Sequence, residues 1–192
     1  MARDSSEFPV VMVRPDLEGL PQYDLPAGFS LRAYRPGDEA EWLRIHELAD
    51  RYNTFTASTF AEQFGTDAEV LRQRQLYLCD PAGATIGTVT AWFDDEFHGG
   101  RWGRVHWVAV VPAFQGRGLG RLLMSAVCNR LRQLGHRRAY LTSNTVRVRA
   151  IGLYLKFGFV PEIRNQRDAR AWQLLRQRLP DSALAKMDLA WR

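Results

Sequence analysis

The run from Val108 to Leu123 limits this chain most tightly. Val108-Ala109-Val110-Val111 reads as a buried strand, Gln115-Gly116-Arg117-Gly118-Leu119-Gly120 as a glycine-dense turn, and Arg121-Leu122-Leu123 as the opening of a helix. Glycine at 116, 118 and 120 lets successive backbone N–H groups converge, and the first turn of the helix adds its unpaired donors and the positive end of its dipole. Such a turn cradles an anion. Arg117 and Arg121 add charge where diphosphate would sit, and charge-assisted hydrogen bonds are roughly twice as strong as neutral ones. An ordinary tight strand-to-helix turn is the alternative reading. Two other phosphate motifs fail on spacing: a dinucleotide fingerprint needs glycine where Arg121 stands, and a P-loop needs Lys followed by Ser or Thr.

At 192 residues the chain suits one α/β domain, expected over 29–192, with residues 1–28 as a polar, proline-spaced arm packed on it. The longest apolar run near the start, Val10-Val11-Met12-Val13, is too short for a secretory core, and no stretch reaches eighteen apolar residues. A cytoplasmic, membrane-free location is the expectation. Cys79 and Cys128 stand far apart without metal-ligand spacing, so they read as reduced core thiols and no metal is implied. The net charge of +5 comes from arginine clusters that usually mark solvated helix faces. No nucleic-acid motif accompanies them, and a polyanionic cofactor would account for part of the excess, so DNA or RNA is the less favoured partner.

Hydrophobic spacing predicts Val10–Val13 as an added edge strand, a strand over 29–34, and a helix over 38–50 opened by a capping box of Asp38 and Glu41. A helix over 58–64 follows. Residues 75–79 and 84–93 read as a hairpin around Asp80-Pro81-Ala82-Gly83, 94–103 as a loop, and 105–111 as a strand. Then come a helix from Leu119 stopped by Gly135, a strand over 139–142, a helix over 149–157 closed by Gly158, and a strand over 159–164. Asp168 is expected to cap a further helix, and Leu184–Trp191 to form a last strand.

This order, the Gln115–Gly120 turn, and the later Ala150-Ile151-Gly152-Leu153-Tyr154-Leu155-Lys156-Phe157-Gly158-Phe159 together resemble the GNAT superfamily of N-acetyltransferases. The first segment matches that family's Gln/Arg-x-x-Gly-x-Gly/Ala pyrophosphate loop and the second its Tyr-x-x-x-Gly-Phe pattern. The resemblance runs from about Phe29 to Trp191. It implies an α/β fold with a mixed, mostly antiparallel twisted sheet, splayed central strands and flanking helices. It also implies acetyl-CoA as co-substrate and a small-molecule or peptide amine as acceptor. Carried over residue by residue, the strand backbone at Val108, Ala109 and Val110 meets the pantetheine and thioester. Gln115, Gly116, Arg117, Gly118, Leu119, Gly120 and Arg121 hold the diphosphate.

Tyr154 matches the family's general acid for the departing thiolate; a tyrosine packed on the core is the alternative. His106 is the candidate base for the amine proton, because it lies two residues before Val108 and so on the same face of a regular strand. A histidine bonded for packing is the other reading. The acidic run Asp94, Asp95, Glu96 with His98 would attract a cationic amine, or else is simply solvated. Phe55 and Trp107, with Trp92 and Trp102, are candidates for an aromatic acceptor pocket. The chain departs from the family at Arg147, where asparagine commonly contacts pantetheine. Asn144 stands three residues earlier, and Arg147 is left to reach a phosphate or the acceptor. Residues 165–180 are long for the family and either cover the acceptor cleft or serve in homodimer contact. A non-catalytic acyl-CoA-binding module and a basic nucleic-acid binder are the rival functions.

Overall fold

A computed structural model describes residues 7–189 of the chain. The chain divides into two compact units, one of residues up to Leu20, 94–104 and from His136 onward, the other of Pro21–Phe93 and Val105–Gly135. Seven strands form a sheet in the order β2-β3-β4-β5-β6-β1-β7. The strands are β1 (Pro9–Arg14), β2 (Ser30–Ala33), β3 (Gln75–Cys79), β4 (Thr85–Asp94), β5 (Trp102–Val110), β6 (Ala139–Asn144) and β7 (Val160–Glu162). The pairings of β2 with β3, β3 with β4, and β1 with β6 and β7 are antiparallel. By contrast, β5 pairs with β6 in parallel at Gly103↔Ala139 and Arg104↔Tyr140. The sheet is thus open, mixed and mostly antiparallel, as expected.

In the unit that holds the glycine turn, α1 (Asp38–Ala49), α2 (Thr59–Phe64), α3 (Ala68–Arg74) and α4 (Leu119–Gln133) accompany β2, β3, β4 and the end of β5. The β3–β4 hairpin forms where Asp80-Pro81-Ala82-Gly83 required it: the Asp80 carboxylate accepts from the amides of Ala82 and Ala84, and Gly83 takes φ +83°. The expected capping box of α1 is absent. Gly37, at φ +98°, stands at the cap position, while the Asp38 carboxylate accepts from the Arg35 amide and pairs with Arg32 at 2.6 Å. A partner charge outcompeted the cap. The helix α3 was not expected from hydrophobic spacing, because only Leu71 of its residues is buried; it is opened by the Asp67 side chain, which accepts from the Glu69 and Val70 amides. Along α4, Leu119, Leu122, Leu123, Val127 and Leu131 bury one stripe, and Gly135 at φ +84° ends the helix.

In the other unit, β1 is not an edge strand. It lies between β6 and β7, pairing Val11 with both Thr142 and Glu162, because Val10 and Met12 need cover that an edge could not supply. The expected loop over 94–103 holds a single helical turn, Phe97–Gly99, and β5 starts inside it at Trp102. Helices α5 (Val148–Lys156) and α6 (Gln166–Arg176) were expected, but Asn165 caps α6 rather than Asp168. Asp168 completes the cap from the other side, since its amide donates to Asn165 while its carboxylate accepts from the Arg164 amide. Residues expected as a final strand instead belong to α7 (Asp181–Leu189), since Ser-Ala-Leu-Ala-Lys-Met favours helix and carries no β-branched residue; Ala190–Arg192 lie outside the described residues. The long 165–180 segment buries Ala171, Trp172 and Leu175 of α6, which packs on β1. Among the described residues no helix is long and apolar enough to cross a membrane.

Candidate active site

The glycine turn is built by its backbone. After β5, Pro112–Phe114 make one helical turn, Gly116 and Gly118 take φ +79° and +82°, and Gly118 caps α4 without a side-chain partner. Both angles lie where a Cβ would clash with its own backbone, so glycine alone adopts them without strain. Among the described residues, the amides of Gly116, Arg117, Gly118, Leu119 and Gly120 meet no backbone acceptor outside helices and strands, whereas Arg121 donates to the Gly118 carbonyl at 2.9 Å. Five consecutive donors thus run from the turn into the first residues of the fifteen-residue α4, at the positive end of its dipole. A Cβ at Gly116 would meet nothing within 4 Å, so this side of the turn faces open space.

Side chains frame it without filling it. The Gln115 amide nitrogen donates to the Val110 carbonyl at 2.8 Å, tying the turn to β5, and the Arg117 guanidinium donates to the Ala113 carbonyl while lying over Phe114. Beside the turn, Tyr23, Asp24 and Pro26 face Arg117, Gly118, Arg121 and Leu122 around a pocket of about 250 Å³. Arg121 lies 5.3 Å from the Tyr23 ring centroid. Two cations against one carboxylate leave this pocket suited to anions.

Upstream, β5 is irregular. Trp107 takes φ +51°, a left-handed conformation that costs a non-glycine residue about 1–2 kcal/mol. Alternation therefore breaks at Trp107, and the expectation that His106 and Val108 share a face of a regular strand does not hold. Instead His106 and its neighbour Trp107 both reach Gln63 of α2: the indole N–H donates to the Gln63 side-chain oxygen at 2.9 Å, and His106 Nε2 lies 3.2 Å from that same oxygen. His106 is buried, with its ring edge against Phe64. The Trp107 ring packs edge-on against Trp42, His46 and Phe55 at 5.1–5.7 Å between centroids. Phe55 and Trp107, half-buried, thus form the rim of a core built on Trp42, Phe60 and Phe64, and Trp92 joins it through Phe64. The expected aromatic group comes together except for Trp102, which is buried in the other unit beside Phe97.

A family profile for the acetyltransferase (GNAT) family matches residues 42–159. The chain belongs to that family. A mycothiol acetyltransferase of Nocardia farcinica is 35% identical over 155 residues, covering 74% of this chain and 48% of that protein. Another, of Geodermatophilus obscurus, is 31% identical over 169 residues, covering 78% and 51%. This GNAT chain spans about half the length of the curated relatives it matches. Its fold is that of a GCN5-related N-acetyltransferase of Sphaerobacter thermophilus, with a TM-score of 0.67 at 21% identity over 81% of this chain and 48% of that one.

The remaining site residues of the GNAT pattern lie in the other unit. Tyr154 sits on α5, half-buried, and burial pushes its phenol up to about 12 against the pull of the Arg147 charge, so it stays protonated through the physiological range. Arg147 stands at the N-terminus of α5, its amide donating to the Asn144 carbonyl at 2.9 Å. The Asn144 side chain accepts from the Val146 amide, so it holds the turn into α5. Asp94 is similarly engaged: its carboxylate accepts from the Glu96 amide and the Tyr140 hydroxyl, and these bonds, the first foremost, hold it below the usual carboxylate range. Glu96 is exposed, Asp95 pairs with Arg101, and His98 pairs with Glu162 at 3.1 Å. The acidic run is thus largely committed to local structure. Two residues that bear on the site carried no signal in the sequence. Gln63 is one of several polar residues on a short helix, and Tyr23 lies in a segment without periodicity.

Proposed function

We propose that this GNAT chain is an N-acetyltransferase that moves the acetyl group of acetyl-CoA to a primary amine of a small molecule or peptide. The observation that carries the reading is the run of five acceptor-free amides at Gly116–Gly120, two of them at left-handed glycines, beside Arg117 and Arg121. That donor set fits a diphosphate, and the backbone of Val108–Val110 would pair with the amide-bearing arm as an added strand does. The co-substrate supplies an activated thioester.

His106 accepts a proton from the incoming ammonium, leaving the nitrogen lone pair to form the new C–N bond. As the C–S bond breaks, Tyr154 gives its proton to the departing sulfur, and the second proton shed by the newly acylated nitrogen returns to the Tyr154 oxygen through water; this role rests on the Tyr-x-x-x-Gly-Phe match and on a phenol kept neutral by burial. Phe55 and Trp107 give the acceptor an aromatic surface to lie against. Asn144 and Arg147 assist co-substrate binding through the turn they form. Residues 29–192 constitute the catalytic domain, with residues 1–28 an added segment that contributes β1, and the location is cytoplasmic.

The test is acetyl-CoA-dependent thiol release by the full chain across a panel of amines, in which the name shared by the relatives puts mycothiol chemistry first. Turnover with one amine class supports the reading. Tight CoA binding with no turnover on any amine would favour a non-catalytic acyl-CoA-binding module instead.

A further inference from the structure

His106 and Trp107 are sequence neighbours, and in a regular strand neighbouring side chains point to opposite faces. The left-handed turn at Trp107 brings both to one acceptor, the Gln63 side chain. That acceptor's identity is fixed by chemistry. An indole N–H can only donate, so the Gln63 atom 2.9 Å from Trp107 Nε1 is the oxygen and not the amide nitrogen. An amide oxygen can only accept, so His106 Nε2, 3.2 Å from the same atom, must carry the hydrogen. In the neutral ring the lone pair then belongs to Nδ1.

Gln63 is itself held. It lies between Phe60 and Phe64 on α2, both buried against Trp42, so its side chain has a fixed origin. We infer that Gln63 is a positioning residue that keeps His106 in its Nε2–H form, so that proton uptake from the acceptor amine occurs at Nδ1. This rests on His106 as the base, the reading given under Proposed function. The bifurcated contact orients the ring as well as its tautomer, since rotating the imidazole would leave the Gln63 oxygen with only the indole donor. The elements around His106 carry several titratable and charged groups, among them Glu62 of α2, which accepts from Ser58, His46 of α1, whose ring is 5.1 Å from that of Trp107, and Arg74 of α3, over Trp92 and Phe93.

The experiment is ¹⁵N-histidine NMR on the full chain, with pH–rate profiles measured in parallel. Wild type is expected to show His106 with Nε2 protonated and Nδ1 bearing the lone pair. Gln63→Leu should shift the ring toward a tautomer mixture and lower kcat about tenfold at unchanged KM for acetyl-CoA, with the melting temperature confirming a folded chain. Gln63→Glu should raise the pH of the acid limb of kcat/KM by about one unit, because a carboxylate at this distance favours the imidazolium. A wild-type His106 protonated at Nδ1, or a Gln63→Leu chain with the wild-type tautomer and pH profile, would overturn the inference. If the Nε2–H form is found but His106→Gln turns over normally, the base assignment falls, while the tautomer lock stands.

Discussion

Between Trp107 and Gly118 the backbone enters the left-handed region by two different means. At Gly116 and Gly118 it does so at residues with no Cβ to oppose it; at Trp107 it does so against a strain of about 1–2 kcal/mol. The turn is therefore organised locally, by its own composition. The left-handed break in β5 at Trp107, called the bulge below, is held by contacts far away in sequence: the Gln63 oxygen on the indole N–H, and the rings of Trp42, His46 and Phe55 around the indole. The first feature, where the diphosphate is proposed to bind, requires little tertiary support. The second ties the proposed base to the proposed acceptor surface, so that on this reading chemistry and acceptor recognition share one strained element, as is common at functional sites.

That contrast can be broken most forcefully at the bulge. His106→Gln is expected to lower kcat roughly 10²–10⁴-fold with CoA affinity almost unchanged, measured by steady-state kinetics alongside calorimetry. An equal loss of CoA affinity would mean that the two regions are not separable. Gly118→Val should do the converse, weakening CoA binding about 30-fold or more while leaving the His106–Gln63 contact intact; normal binding by this variant would remove the turn from the site.

Stability separates the two regions further. Replacing Trp107 by glycine relieves the backbone strain but deletes the ring, with a net destabilisation of about 2 kcal/mol in denaturant unfolding, whereas Gly116→Ala loses about 1 kcal/mol from strain alone. A stabilised Trp107→Gly chain would show that the rings do not hold the bulge. Tyr154→Phe is expected to reduce turnover about tenfold at unchanged CoA affinity. The slightest effect is one of pH. With the Tyr154 phenol raised to about 12 from its ordinary value, its proton-donating form persists, so the rate should not fall from this group as pH rises to ~10. A basic limb that vanishes in Tyr154→Phe and lies below that range would contradict the raised value.

The same physical difference decides what could be read from the sequence. The glycine turn, the stripe of α4 and the β3–β4 hairpin are written in local spacing and turn chemistry, and each formed where that spacing put it. The bulge is not, since nothing about His106-Trp107 in isolation distinguishes it from regular strand; only the distant Gln63 and Trp42 do. Likewise, the covered position of β1 depends on partners more than 120 residues away, and the capping box at Asp38 lost to an ion pair with Arg32. The final helix is a different kind of miss. Its alternating apolar residues satisfied a strand period, and helix propensity decided the outcome.

Every functional role given to this chain depends on the turn's own amides binding the diphosphate of CoA. Titrating CoA into uniformly ¹⁵N-labelled protein and following the backbone amide resonances puts that to the proof. The largest shifts are expected at Gly116, Arg117, Gly118, Leu119 and Gly120, saturating together; saturable CoA binding that leaves these five amides unmoved would contradict it.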